Sequence, residues 1–117
     1  MNTSTTTSDF ICSDKVEGTA VYNNTGDKLG SIDNLLIDKR SGQVHHAVLE
    51  FGGFLGLGTD RFPLPWSMLK YNTDLDGYVV PLAQSQLTDA PRYARNSESP
   101  FFTEADYGQR VNTFYGY

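Results

Sequence analysis

Two glycines in the middle of the chain have the spacing of a phosphate-binding loop. Gly53 and Gly58 are separated by four residues. Such a loop holds phosphate oxygens with backbone amides, and it requires a lysine and a hydroxyl residue directly after its last glycine. Thr59 and Asp60 follow instead, and a proline-containing stretch stands where a helix should begin. The sequence therefore does not predict phosphate binding.

The two histidines of the chain, His45 and His46, are adjacent in a predicted strand. Their side chains point to opposite faces, so they cannot readily share one metal ion. Glu50 lies on the face of His46 but roughly 13 Å further along the strand. We expect His45 to line the interior of the fold or to contact a second subunit, and a titrating functional role is the alternative.

Five aspartates could in principle supply acid and base groups or bind a hard cation: Asp33, Asp38, Asp60, Asp74 and Asp76. Asp74, Asp76 and Gly77 are similar to the start of a calcium loop, but the glutamate that should close the loop is absent, which favours a solvated turn. Cys12 is the only cysteine, and its local basic neighbour is Lys15. No disulfide, thiolate zinc site or activated nucleophile is predicted. We expect no enzyme activity, no metal and no cofactor.

The composition indicates one domain with terminal extensions, since the chain has 117 residues. A formal net charge of -5 disfavours attraction to nucleic-acid phosphates or anionic lipid. No run of about 18 apolar residues and no basic, apolar leader occurs, so neither membrane insertion nor export is expected. With its single cysteine, the protein is expected to be cytoplasmic.

The first half of the chain predicts strands joined by polar turns: strand 16–22, turn 23–27, strand 28–37, turn 38–42 and strand 44–51. The alternation of apolar residues fails around Asp33 and Asn34, which predicts a β-bulge. In strand 44–51, His45 and Ala47 belong to one face and Val48 to the other. Because both faces carry apolar residues, we expect the outer face of this strand to be partly covered.

The second half begins with a proline-bracketed strand. Phe62, Leu64 and Trp66 alternate and are predicted to face the core, while Pro63 and Pro65 predict an edge strand or a strand end. The elements predicted after this strand are a helical turn at 65–69, an acidic turn at 72–77, a strand at 78–82 and a short helical turn at 85–89.

The last residues, 93–117, carry half of the phenylalanines and tyrosines of the chain. Disordered tails are rarely so aromatic. Thr103 and Asp106 provide a weak helix-start signal, which predicts a short helix from about Glu104 to Asn112. Two interpretations stay open: the aromatic side chains pack back over the fold, or they contact a neighbouring subunit.

Several motifs together resemble the stand-alone PRC-barrel family. They are Gly-Thr-Ala-Val at 18–21, Gly-Asp-Lys-Leu-Gly-Ser-Ile at 26–32, Ser-Gly-Gln-Val at 41–44, the glycine-rich 51–58, Phe-Pro-Leu-Pro-Trp-Ser-Met-Leu at 62–69 and Ala-Pro at 90–91. The resemblance covers about residues 10–92. It implies an all-β fold, namely a small, mostly antiparallel, roughly six-stranded barrel with short helical turns, here followed by an aromatic C-terminal tail.

The resemblance also implies a binding and assembly role. The family includes the cytoplasmic domain of the photosynthetic reaction-centre H subunit and the C-terminal barrel of a ribosome-maturation factor that binds a small-subunit ribosomal protein. This chain resembles the free-standing bacterial type, because it shows no transmembrane helix and residues 1–13 leave no room for a second barrel. We expect a flexible leader at 1–13, the barrel at 14–92 and an extension at 93–117.

We therefore expect a non-enzymatic module that forms a homodimer and docks a protein partner. The apolar residues of the glycine-rich loop either plug one end of the barrel or are covered by a partner. The candidate contact residues are Phe54, Leu55, Leu57, Phe101, Phe102, Tyr107, Phe114 and Tyr115. One alternative is a ligand-binding barrel with Tyr22, His45 and Tyr78 facing a cavity. The other, an RNA- or ribosome-associated adaptor, is disfavoured by the negative charge.

Overall fold

The computed structural model describes residues 9–51 and 60–117. These residues form the helices α1 (Ser13–Val16) and α2 (Tyr107–Tyr115), the 3₁₀ turns Trp66–Met68 and Gln84–Asp89, and the strands β1 (Ala20–Tyr22), β2 (Lys28–Ile37), β3 (Val44–Glu50), β4 (Arg61–Pro65), β5 (Lys70–Asn72) and β6 (Gly77–Val79). Among the described residues, no helix has the length and apolar character needed to cross a lipid bilayer.

The strands form one six-stranded sheet in the order β4-β3-β2-β1-β6-β5. The β1–β6 pair is parallel, and the other neighbours are antiparallel. The prediction of a mostly antiparallel, six-stranded β fold with short helical turns is therefore confirmed. The hydrogen-bonded ladder begins at β4 and ends at β5, and the 3₁₀ turn Trp66–Met68 connects these two strands along the chain.

The predicted first strand, 16–22, is wrong in its first half. Ser13–Val16 is a short helix, and Gly18 follows it with a φ of 87°, a left-handed conformation that interrupts a strand. The Thr19 hydroxyl then donates to the Lys15 carbonyl. Local backbone geometry outweighs the β-branched composition, and β1 begins only at Ala20.

The predicted bulge in β2 is confirmed. The register between β2 and β3 shifts between Ile32 and Asn34, which leaves Asp33 as the extra residue. Ile32 is buried in the core, whereas the Asp33 carboxylate pairs with Arg61. The bulge therefore directs an acidic side chain toward the arginine that begins β4.

β4 is an edge strand that its prolines protect. The amide and carbonyl of Arg61 both bond to Tyr93, at 2.8 and 3.0 Å, so these groups point away from β3. Pro63 and Pro65 lie two and four residues after Arg61, so their backbone nitrogens also point away from β3. The β3–β4 ladder loses no bond, and a further strand cannot pair fully with this edge.

The sheet is covered on both faces at β3 and β4. On the inner face, Phe62 and Leu64 are fully buried in the hydrophobic core and Trp66 packs against it, which confirms the alternation prediction. On the other face, Val48 is fully buried, and so is Val111 of α2, which packs on β4. The outer face of β3 is therefore covered, as its two apolar faces predicted.

Helix α2 begins at Tyr107, three residues later than predicted, and extends to Tyr115. Glu104 lies in a preceding turn, where its amide donates to the Pro100 carbonyl. Gly116 ends the helix in a left-handed conformation with a φ of 81°. The strand β5 was not predicted, and the strand predicted at 78–82 is limited to Gly77–Val79.

Candidate functional site

The C-terminal segment, residues 93–117, packs along the outer face of the sheet. Its first contact is the backbone bridge between Tyr93 and Arg61. Further along, the Phe101 ring packs against His46 and against Tyr107, with centroids 5.0 Å apart in both pairs. Of the two interpretations of the aromatic tail, packing over the sheet is therefore observed for Phe101 and Tyr107.

His46 is the polar anchor between the sheet and α2. The residue is 5% exposed, and its Nε2 lies 2.9 Å from Oδ1 of Asn112. Gly108 permits this close approach, since a Cβ there would lie 3.3 Å from Cε1 of His46. Burial lowers the pKa of His46, and the hydrogen bond with Asn112 partly opposes that shift. His45 is exposed, with its ring centroid 6.5 Å from that of His46.

The aromatic side chains of the segment divide into a buried set and an exposed set. Tyr107 is 5% exposed, and burial raises its pKa to about 12. Tyr115 packs against the main core. The exposed set consists of Phe102 at 73%, Phe114 at 42% and Tyr117 at 56%. Apolar rings this accessible indicate a surface that can be covered by another molecule.

The eight predicted contact residues therefore have different positions. Phe54, Leu55 and Leu57 lie outside the described residues, so the choice between plugging the barrel and meeting a partner stays a prediction for them. Phe101, Tyr107 and Tyr115 contribute to intramolecular packing, and Phe102 and Phe114 are exposed. Tyr117, which is also exposed, was missed as a candidate, although its place in the aromatic C-terminal sequence was a signal.

Phe114 stands between two grooves. The first, of about 450 Å³, is lined by apolar and aromatic residues and by two polar ones: Met68, Pro81, Leu82, Phe114, Tyr115, Tyr117, Gln86 and Asp89. The second, of about 530 Å³, lies on the side of Pro91 and Arg110 and is also lined by Phe114. The Phe114 ring makes an edge contact with the ring of Tyr115, with the centroids 4.9 Å apart. An exposed aromatic side chain is thus placed directly beside two grooves that have both apolar and polar lining residues.

A third cleft, of about 290 Å³, separates the β2–β3 hairpin from the C-terminal segment. Its lining includes Ile37, Asp38, His45, Phe102 and Glu104. Ile37 is 51% exposed. The structure therefore places His45 at an open cleft rather than in the main core.

The three predicted ligand-facing residues are not brought to one cavity. In the parallel β1–β6 pair, Val21 is opposite Tyr78 and Tyr22 is opposite Val79, so Tyr22 and Tyr78 belong to opposite faces. Tyr78 is buried with ring contacts to Trp66 and Tyr71, and burial raises its pKa. This arrangement offers little support for a ligand site built from these residues.

Arg61 forms the most buried ion pairs among the described residues, and the sequence analysis missed them. Its side chain is 9% exposed; Nε lies 3.1 Å from Asp33 Oδ2, and the guanidinium lies 3.8 Å from Glu50 Oε1. The signal was an arginine at the start of β4, opposite Glu50 at the end of β3. These contacts join three neighbouring strands, so we assign them a structural role.

Three more of the five candidate aspartates form contacts that stabilise the fold. Asp38 accepts hydrogen bonds from the amides of Ser41 and Arg40, which lower its pKa. Asp60 pairs with Arg92 at 3.4 Å. Asp76 accepts a 2.8 Å hydrogen bond from the Tyr71 hydroxyl. Within residues 9–51 and 60–117, no three His, Cys, Asp or Glu side chains are grouped closely enough to hold a metal ion.

The part of the chain that contains the strands is similar to a known protein family. A family model described as PRC-barrel domain matches residues 9–87, about two thirds of the chain. The match contains the six strands, whereas α2 lies beyond its end. No curated protein matches the chain. The exposed aromatic surface around Phe114 is therefore carried by a segment that follows the matched region.

Proposed function

The chain belongs to the PRC-barrel domain family, and we propose that it is a non-enzymatic assembly module that binds a second copy of itself. The contact surface is the Phe114 surface, defined as Phe114, Tyr117 and the two grooves that flank Phe114. The observation that carries this proposal is an exposed aromatic ring directly beside a groove whose lining includes Met68, Pro81 and Leu82. The docking of a different protein stays a prediction.

The Phe114 surface combines a projecting side chain with a recess, which favours a symmetric dimer. In a twofold interface the same patch of each subunit meets itself, so a projecting side chain needs a recess nearby. Phe114 is the projection, and Pro81 and Leu82 line the recess. A twofold axis close to Phe114 allows each copy to insert this ring into the groove of the other. Buried aromatic anchors of this kind commonly dominate binding energy.

Association through the β4 edge is disfavoured. Tyr93 already occupies the outward groups of Arg61, and Pro63 and Pro65 have no N–H to offer along the same edge. The opposite edge, β5, has only three residues. Short strands and prolines limit edge-to-edge pairing. A side-chain interface on the C-terminal segment is therefore favoured over addition of strands between copies.

Net charge predicts how this association responds to salt. Each copy has a formal net charge of -5, so two copies repel one another at long range. Salt screens that repulsion while leaving the apolar contact intact. We expect self-association to strengthen as the salt concentration rises. Binding driven by attraction to phosphates would weaken instead.

Phe114→Ser is expected to weaken self-association by about tenfold or more, because it removes an aromatic anchor from the centre of the interface. Light scattering over a range of protein concentrations measures this change. Phe102→Ser is the matched control, since Phe102 is also exposed but borders the cleft with His45. A wild-type protein that stays monomeric at every concentration contradicts the proposal. An equal loss of self-association in both variants would show that the interface is not centred on the Phe114 surface.

Deletion of residues 94–117 is a less informative test. Val111 is fully buried on the outer side of the sheet, and Asn112 binds His46. Removing them would uncover the apolar outer face of β3 and could create new association. Single substitutions at exposed aromatic residues leave that packing in place, so their effect reports on the surface itself.

A further inference from the structure

The contact between His46 and α2 contains a buried, hydrogen-bonded histidine, and a proton on this histidine would weaken the contact. We propose that protonation of the His46 imidazole releases α2 from the outer face of β3 and β4 while the rest of the sheet stays folded. The inference does not rest on the proposed self-association, because His46 and Asn112 belong to the same chain and meet within it.

The neutral imidazole fits its site well. Oδ1 of Asn112 is an acceptor, so the facing Nε2 of His46 carries the proton in the docked state and donates to it. One side of the ring meets Phe101, and Gly108 lies close to Cε1. A backbone hydrogen bond with Gly108, like the one with Asn112, favours the charged ring, but burial opposes it more strongly and lowers the pKa of His46. A second proton, on Nδ1, would place a full positive charge in a residue that is 5% exposed. Such a charge is costly where water has been excluded.

The charged groups around the site do not compensate for that charge. On β3 itself, His45 disfavours a second cation beside it. On the hairpin between β2 and β3, Asp38 accepts amide hydrogen bonds and interacts with His45. On the C-terminal segment, Glu104 is paired with Arg110. Both carboxylates that border the adjoining cleft are therefore engaged elsewhere.

The remaining neighbours of His46 are apolar or weakly titrating. Leu36 is opposite it on β2 and Pro65 is opposite it on β4. From α2, Tyr107 meets Phe101, the ring that covers His46. Burial holds the pKa of Tyr107 far above neutrality, so its hydroxyl stays protonated across the range in which a histidine titrates. His46 is thus the group through which acid acts on this contact.

The sign of the pH effect follows from the lowered pKa of His46. When α2 is undocked, the exposed imidazole titrates near its ordinary value of about 6.5. When α2 is docked, burial holds the pKa below that value. The contribution of His46 to docking is therefore complete above about pH 6.5 and is lost as the pH falls. Between pH 7.5 and 5.5 this linkage weakens docking by at most about tenfold.

Release of α2 uncovers an apolar surface on the outer side of the sheet. It also removes Tyr115 from its contact with the main core, but none of the buried residues of that core belongs to α2. Val48 and Val111 are fully buried and lie outside the main hydrophobic cluster. The main cluster instead contains Ile32, Leu49 and Phe62, among others, on the other face of the sheet. Acid is therefore expected to increase the fraction of molecules in which the outer face of β3 is uncovered, while the main core stays folded.

Amide hydrogen exchange followed by NMR tests the proposal in the full chain. After correction for intrinsic exchange rates, protection in α2 is expected to fall severalfold, up to about tenfold, from pH 7.5 to 5.5, while protection in β2 and β3 is retained. His46→Gln, which keeps a neutral donor for Asn112, should remove this pH response. His45→Gln should keep it. Unchanged α2 protection in the wild type, or a full response in His46→Gln, overturns the proposal.

A second measurement tests the proposal even if the His46→Gln variant does not fold. The chain has only two histidines, so both imidazole resonances can be followed by NMR in the wild type, and the His45→Gln variant assigns them. The His46 resonance is expected to titrate below the ordinary histidine value of about 6.5. A titration at or above that value overturns the proposal, because docking would then not disfavour the protonated ring.

Discussion

Gly30→Ala is expected to lower the free energy of unfolding by about 3 kcal/mol or more. A Cβ at this position would lie 2.1 Å from the Glu50 carbonyl oxygen and 3.0 Å from the Phe51 Cα. The nearest obstructing atoms are backbone atoms, so no side-chain rotation relieves the overlap. Gly30 also pairs with Val21 on β1, and Ser31 beside it pairs with Glu50 on β3. The sheet must therefore distort along two ladders to accept one methyl group.

The matched control for this substitution is Gly42→Ala. Gly42 lies in the β2–β3 turn with a φ of 77°, and a Cβ there would have no atom within 4 Å. It therefore tests the cost of left-handed backbone alone, about 1 kcal/mol. Urea unfolding followed by the fluorescence of Trp66, the only tryptophan, measures both variants. The prediction is contradicted if the Gly30→Ala variant loses no more free energy of unfolding than the Gly42→Ala variant, because β2 would then not approach β3 too closely for a methyl group at position 30.

Features that depend on neighbouring residues could be predicted from the sequence. The alternation of Phe62, Leu64 and Trp66 identifies a core face because strand side chains repeat every two residues. The interrupted pattern at Asp33 identifies the bulge for the same reason. The edge position of β4 follows from the missing amide hydrogens of its prolines. These patterns can be recognised without knowing which strands pair with one another.

Features that depend on distant partners could not be predicted. β5 consists of Lys70–Asn72, which is too short and too polar to show an alternating pattern, and it is a strand because it pairs with β6. The parallel pairing of β1 with β6 likewise joins segments that are far apart in sequence. The burial of Arg61 depends on Asp33 and Glu50 arriving from two other strands.

The candidate site was only partly predictable, because the end of α2 was placed too early. With the helix extended to Tyr115, the residues Tyr107, Val111 and Tyr115 recur at four-residue spacing and identify one face. That face is the one turned toward the protein, whereas Phe114 belongs to a neighbouring face and is exposed. A helix ending at 112 hides this distinction, so the buried and exposed tail aromatics were predicted together as contacts.

Arg61→Ala is expected to lower the free energy of unfolding by about 2–3 kcal/mol. Removing one member of a buried ion pair leaves its partners uncompensated, and the usual cost is about 3–5 kcal/mol. We expect a smaller loss for Arg61→Ala because Asp33 and Glu50 keep 33% and 35% of their side-chain surface exposed, so water screens part of the effect. The loss arises in the native state, where both carboxylates stay close to one another on neighbouring strands.

Arg92→Ala is the control, since Arg92 also pairs with an aspartate but with 36% of its side chain exposed, and we expect a loss of about 1 kcal/mol or less. A double-mutant cycle with Asp33→Ala separates the ion pair from the packing of the arginine stem, and we expect a coupling of about 1 kcal/mol or more. A coupling near zero would mean that Arg61 stabilises the sheet through its stem and its backbone bridge to Tyr93 rather than through its charge.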